Sequence, residues 1–120
     1  MKVLLDTNFV IDTVRFKIDL DEISDLIGAH ELVTLNTVER ELVKISKGAS
    51  RSAAYARASL KLLKELNIQM LKTELRPDDA MVKLADDTIV ATNDIELRKR
   101  LKALGKKTIY LKSKKHLAIG

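Results

Sequence analysis

Short apolar runs alternate with longer stretches in which apolar residues recur every three or four positions, and this alternation sets the expected architecture. Lys2–Leu5 reads as a strand, and Thr7–Val14 follows with Val10, Ile11 and Val14 at helical spacing. Leu20–Ile27 is a second helical stretch, ended by Gly28 in a C-cap position. Glu31–Leu35 returns to strand. Asn36-Thr37-Val38-Glu39 has the form of a capping box, and it opens a helix with Val38, Leu42 and Ile45 on its buried stripe, closed by Lys47-Gly48. Ser52–Leu66 is a long helix with Ala53, Ala56, Leu60, Leu63 and Leu66 near one face. Ile68–Leu71 is a strand. Asp78, after Pro77, caps a helix that runs to Ala85, and Thr88–Ala91 is the next strand. Asp94–Leu104 is a helix ended by Gly105, and Thr108–Leu111 is the final strand.

Strands alternating with helices imply parallel strands joined by right-handed crossovers. The expectation is an α/β fold, a three-layer α/β/α sandwich around a mainly parallel sheet of four to five strands. A single proline, no low-complexity stretch and no internal repeat make residues 1–120 one domain. In open sheets of this kind ligands bind beyond the carboxyl ends of the strands. Candidate chemistry is therefore sought there.

Composition narrows the field. Zero cysteines exclude disulfide frameworks, thiolate zinc sites, iron–sulfur clusters and cysteine nucleophiles. No apolar run nears the roughly 18 residues needed to cross a bilayer, and the start lacks a signal-peptide core, so a cytoplasmic protein without a membrane role is expected. At 3% aromatic content, domains that stack bases on aromatic platforms are poor candidates. Charge is lopsided: residues 1–93 carry 13 Lys/Arg against 15 Asp/Glu, whereas residues 94–120 carry 9 against 2. That pattern suits an anionic partner near the C-terminal end, and equally a solvated basic face. Lys112, Lys114 and Lys115 read as a solubilising tail.

Acids sit just past several strand ends. Asp6-Thr7-Asn8 follows the first strand and Thr92-Asn93-Asp94 the fourth; Glu39 and Glu41 lie on the helix after the second, and Asp78 and Asp79 begin another helix. Any one acid at a helix start can be a cap, contributing about 0.5–2 kcal/mol. Glu39 and Asp78 fit that role; Asp12, Asp19, Asp21, Glu22 and Asp25 read as solvated surface. Gathered at one crevice, however, carboxylates repel and raise one another's pKa unless a cation joins them. An oxygen-only cluster suits Mg²⁺ or Mn²⁺. His30 and His116 stand alone, and the four glycines form no phosphate loop.

Together these residues resemble the PIN domain (PilT N-terminus) metal-dependent ribonucleases over essentially the whole chain. The matching segments are Val3-Leu4-Leu5-Asp6-Thr7-Asn8, Val38-Glu39-Arg40-Glu41-Leu42, Asp78-Asp79-Ala80 and Val90-Ala91-Thr92-Asn93-Asp94 leading into Glu96-Leu97-Arg98. The resemblance implies a quartet of metal-binding, catalytic acids at Asp6, Glu41, Asp79 and Asp94, with Mg²⁺ or Mn²⁺ as cofactor. Glu41 is taken over Glu39 because the family's glutamate directly precedes a core leucine, here Leu42. Asp79 is taken over Asp78 because the family's aspartate precedes a small residue, here Ala80. Thr7, Asn8 and Thr92 match positions that orient those carboxylates. The activity implied is hydrolysis of RNA phosphodiester bonds to 5′-phosphate and 3′-hydroxyl ends. Arg98, Lys99, Arg100 and Lys102 then read as contacts to RNA phosphates, or as the solvent face around Leu97, Leu101 and Leu104.

Two roles within the family compete. VapC-type toxins cut tRNA or rRNA, pair with a small antitoxin and form homodimers; ribosomal RNA maturation nucleases share the Asp-Asp-Ala and Ala-Thr-Asn-Asp patterns and a Lys/Arg-rich helix. A catalytically silent PIN fold that binds RNA or scaffolds an assembly is the alternative to either. A receiver-like signalling domain has similar length and sheet class, but would need adjacent acids after the first strand, where this chain has only Asp6.

Overall fold

In the computed structural model, which describes residues 1–120, the chain runs β1 (Lys2–Leu5), α1 (Thr7–Arg15), α2 (Glu22–Ile27), β2 (Glu31–Leu35), α3 (Asn36–Ser46) and α4 (Arg51–Glu65). It continues through β3 (Gln69–Leu71), α5 (Pro77–Leu84), β4 (Thr88–Ala91), α6 (Ile95–Ala103), β5 (Thr108–Lys112) and β6 (His116–Ile119). The strands make one sheet in the order β3-β2-β1-β4-β5-β6, parallel except where β6 runs antiparallel to β5. The α/β class and the mainly parallel sheet are as the sequence pattern predicts. The sixth strand is additional.

β6 escapes sequence reading because its hairpin uses none of the usual turn residues. Ser113 and Lys114 both hold positive φ, 56° and 57°, and the Lys115 N–H closes the turn onto the Lys112 carbonyl at 3.2 Å. Turns of that hand normally carry Asn and Gly. Thus, of the lysines assigned to a solubilising tail, Lys114 lies within a turn between paired strands and Lys112 and Lys115 flank it, with Lys112 opposite His116.

From β1 the chain steps outward through β2 to β3, then returns past β1 to β4 and β5. With right-handed crossovers, a reversal of direction puts the later helices on the opposite face. Accordingly α1, α3 and α4 pack on one another, while α5 packs against α6. The central strands are buried on both faces, which explains their unbroken apolar runs: Val3, Leu4, Leu5, Val33, Leu35, Val90 and Ala91 all lie in the core. Val38 and Leu42 of α3, Ala53, Ala56 and Leu63 of α4, and Leu97 and Leu101 of α6 point inward as their spacing predicts. Leu66 and Leu104, placed at the ends of those stripes, are instead exposed, because each is the C-cap residue where its helix is already turning away.

Two expected caps are not made. Asn36 is the first helical residue of α3, and its side chain is turned onto Thr73, accepting from its N–H at 3.0 Å and donating to its carbonyl at 3.4 Å. No side chain caps α5 either: Pro77 occupies the first helical position and Arg76 the N-cap. Proline favours that position because its missing N–H is one the helix would leave unpaired. Asp78 is thereby left free of the capping role.

Candidate active site

The reversal of strand order lies between β1 and β4, and their carboxyl ends open the crevice where ligands of such sheets bind. Leu5 is in register with Ala91, so Asp6 and Thr92 emerge side by side. The Asp6 N–H donates to the Ala91 carbonyl at 2.9 Å, and the Thr92 N–H to that of Ile109 at 2.9 Å, extending the ladder beyond the strands. The first acid is thus fixed by sheet pairing.

Asp6 is nearly sealed from solvent, at 6% exposure. One carboxylate oxygen accepts the Thr7 N–H at 2.8 Å and the other the Thr92 hydroxyl at 2.6 Å. Burial pushes its pKa above the ordinary value of 3.8; those two hydrogen bonds oppose the shift, and the charges of Asp78 and Glu41 add to it. Thr92 in turn accepts the Asp94 N–H at 3.1 Å. Asp94 holds the N-terminus of α6, one oxygen accepting the N–H groups of Glu96 and Leu97 at 2.9 and 3.1 Å. Its second oxygen makes no hydrogen bond within the protein and remains available.

Asn8 and Asn93 tie these turns together. Asn8 Oδ1 accepts the Asn93 N–H at 3.0 Å. The Asn93 amide accepts the Leu111 N–H at 2.8 Å and donates to Asp12 at 2.9 Å. One amide therefore joins β5, α1 and the β4–α6 turn. Asp12, expected at the solvated surface, is its partner; Glu22, from the same set, accepts the Leu117 N–H of β6 at 3.1 Å.

Above these turns lies a cleft of about 560 Å³, lined by Asp6, Thr7, Asn8, Glu41, Arg76, Pro77, Asp78, Asp79, Asp94 and Arg100. All four acids of the expected quartet face it, with Thr7 and Asn8, while Thr92 supports Asp6 from beneath. Glu41 faces the cleft and Glu39 a different groove, on the α4 side of α3. Asp78 and Asp79 both face the cleft, so Asp78 is a further acid that its reading as a cap had set aside. Pro77 was the signal, since a proline at the first helical position moves the cap one residue back.

The acids share the cleft without closing on one point: no three acidic or histidine side chains are drawn near enough to hold one ion together. Like charges hold such groups apart, and Asp79 takes Arg100 as counter-ion at 3.0 Å. Both side chains are about half exposed, so the pair contributes at most about 1 kcal/mol. Thr37, one turn before Glu41 on the same face of α3, has a buried hydroxyl without a hydrogen-bond partner. An all-oxygen donor set with spare acceptor capacity and an unsatisfied hydroxyl nearby fits a hydrated hard divalent ion.

Of the four basic residues expected to meet phosphate, only Arg100 lines the acidic cleft. Arg98 lies 3.5 Å over the Tyr110 ring and its Nε is 3.4 Å from the Thr108 hydroxyl, so it is committed to packing α6 on β5. Lys99 pairs with Glu96 at 3.9 Å, and with Lys102 it borders a separate groove near Tyr110. Arg76 was not singled out from sequence, yet it lines the cleft.

A family model described as a PIN-like domain matches residues 3–114. The chain belongs to the PIN-like domain family. Ribonuclease VapC4 of Methanocaldococcus jannaschii is 30% identical to this PIN-like chain over 125 residues, covering 98% of this chain and 95% of that protein. Among solved structures, that of the PIN domain endonuclease Utp24 superposes with a TM-score of 0.77 at 25% identity, covering 97% of this chain and 90% of that one. A domain of a functionally unknown protein from M. jannaschii has a TM-score of 0.67 at 23% identity over 93% and 91% of the two chains, a likeness of fold.

Proposed function

We propose that this PIN-like protein is a metal-dependent endoribonuclease that hydrolyses RNA phosphodiester bonds, with Asp6, Glu41, Asp79 and Asp94 as its catalytic acids. The observation that carries this reading is the convergence of acids from four remote chain segments on one cleft at the sheet's switch point. The relatives named as a ribonuclease and a PIN domain endonuclease support it.

Asp6, Glu41, Asp79 and Asp94 would hold Mg²⁺ or Mn²⁺, with Asp78 adding negative charge beside them. Such an ion lowers the pKa of a bound water and stabilises charge on the phosphate and the leaving oxygen. Thr92 and the Thr7 N–H fix Asp6 by its two oxygens, leaving the remaining lone pairs directed at the cleft. Asp94 is held by α6 through one oxygen and offers the other. Arg76 and Arg100 supply cations at the cleft wall, suited to the non-bridging oxygens of a phosphodiester. Arg100 exchanges Asp79 for phosphate in this scheme, a change the weak, half-exposed pair permits.

The test is cleavage of single-stranded RNA in Mg²⁺ or Mn²⁺. EDTA should abolish it, and Asp6→Asn and Asp94→Asn should each lose at least about a hundredfold in rate while retaining the far-ultraviolet circular dichroism of the fold. Retained cleavage in both variants would overturn the assignment. RNA binding without any cleavage by the wild-type protein would point to the silent scaffold instead. A VapC-like role in turn requires a small antitoxin partner, which co-purification with the product of an adjacent gene would reveal.

A further inference from the structure

A second polar groove, of about 570 Å³, lies between the first turns of α3 and the loop after β3. Asn36, Arg40, Lys72, Thr73 and Glu74 line it. It is a built feature: the paired hydrogen bonds between the Asn36 amide and the Thr73 backbone staple the loop to α3, and the Thr73 hydroxyl accepts the Leu75 N–H at 3.1 Å. Along the chain the groove adjoins the acidic cleft: Glu41, which lines the cleft, follows Arg40 on α3, and Arg76, which also lines it, follows Glu74 by two residues.

Of the cleft's own cations, Arg100 is held by Asp79, while Arg98 on the same helix is committed to Tyr110. Arg40, Lys72 and Arg76 enter none of the ion pairs of the molecule, which involve Lys61, Lys99, Arg100 and Lys106. Arg40 and Lys72 face one carboxylate, Glu74, so the groove carries a small net positive charge beside a cleft of five carboxylates and two guanidinium groups. No aromatic ring lines it, so it offers no aromatic platform on which bases could stack.

We propose that this groove is a sugar–phosphate subsite, in which Arg40 and Lys72 hold the RNA backbone on the α3 side of the scissile phosphate, with Arg76 bridging to the cleft. The proposal deepens the nuclease reading and rests on it for the direction in which the strand leads. Contacts to phosphate alone make the hold indifferent to base sequence.

The test separates binding from cleavage. In EDTA, the affinity of the full-length protein for a fluorescent single-stranded oligoribonucleotide is measured against salt concentration by anisotropy. Arg40→Ala/Lys72→Ala should reduce the salt-dependence slope by about 1.4, two phosphate contacts at roughly 0.7 each. The charge-preserving Arg40→Lys/Lys72→Arg should restore it, whereas Lys2→Ala/Lys107→Ala, exposed at the amino ends of β1 and β5 on the sheet edge away from the cleft, should leave it unchanged. In Mn²⁺, the double alanine variant should raise KM on a long strand without changing kcat, and should cut a dinucleotide as the wild type does. An unchanged slope, or no binding of RNA by the wild type, overturns the groove assignment. Should the slope fall as expected in a protein that never cleaves, the groove stands as an RNA subsite and it is the nuclease reading that fails.

Discussion

Asp6 shows what a buried acid costs its fold. Its raised pKa means the folded chain binds a proton there more tightly than the unfolded chain does. Between the ordinary 3.8 and the raised value the folded state carries more protons, so this residue's contribution to stability falls as pH rises through that window. In EDTA at neutral pH, Asp6→Asn should therefore melt above the wild type although it is inactive, and acid titration of its melting temperature should lose the component due to this group. A lower melting temperature would mean that the hydrogen bonds from Thr7 and Thr92 outweigh desolvation. The same shift predicts that Mn²⁺ affinity weakens on acidification at a pH above that at which an ordinary aspartate protonates. Arg100 competes for Asp79, and releasing a pair worth at most about 1 kcal/mol should tighten Mn²⁺ binding by up to about fivefold in Arg100→Ala, read by calorimetry, while KM for RNA rises.

Helix ends carry the clearest lesson at the next scale. α1, α4 and α6 all finish in Schellman turns: the N–H groups of Ile18, Ile68 and Lys106 reach back to the carbonyls of Thr13, Leu63 and Leu101 at 2.8, 3.0 and 3.0 Å. The left-handed residue is Lys17, Asn67 or Gly105, at φ 55°, 51° and 75°. Gly105 and Asn67 announce their turns in the sequence, and the expected helix ends, Leu104 and Leu66, are the C-cap residues; Lys17 gives no such signal. Lysine in this conformation is disfavoured by roughly 1–2 kcal/mol, so Lys17→Gly should stabilise the protein by about 1 kcal/mol in urea unfolding without altering activity. The hairpin before β6 went unseen for the same reason: its shape is imposed by pairing with β5, against the preferences of Ser113 and Lys114. Asn36 and Asp78 mislead in the opposite sense. Both are good capping residues, and tertiary partners or a neighbouring proline gave them other positions.

For the molecule as a whole, alternation of strand and helix was sufficient to find the α/β class and, through the strand-end rule, the cleft. Topology brought the four acidic segments to one edge, where Asp6, Glu41, Asp79 and Asp94 line the cleft; the choice of Glu41 over Glu39 and of Asp79 over Asp78 came from the resemblance to PIN domains. What sequence could not convey were choices made in three dimensions: Arg98 lying on Tyr110, Arg100 pairing with Asp79, and Asn93 binding Asp12. If the gathered carboxylates share an ion, Mn²⁺ should raise the melting temperature in proportion to the logarithm of its concentration above saturation, and Asp94→Asn should blunt that rise. A melting temperature indifferent to Mn²⁺ would count against a common site.

The strand order has a consequence during synthesis. Asp6 leaves the ribosome before β4, its neighbour in the sheet, and the cleft is complete only when Asp79 and Asp94 have followed. A half-made chain carries one wall of the cleft and no more. On the nuclease proposal, that delay keeps the acids from meeting until most of the chain has been made: the blade is assembled late.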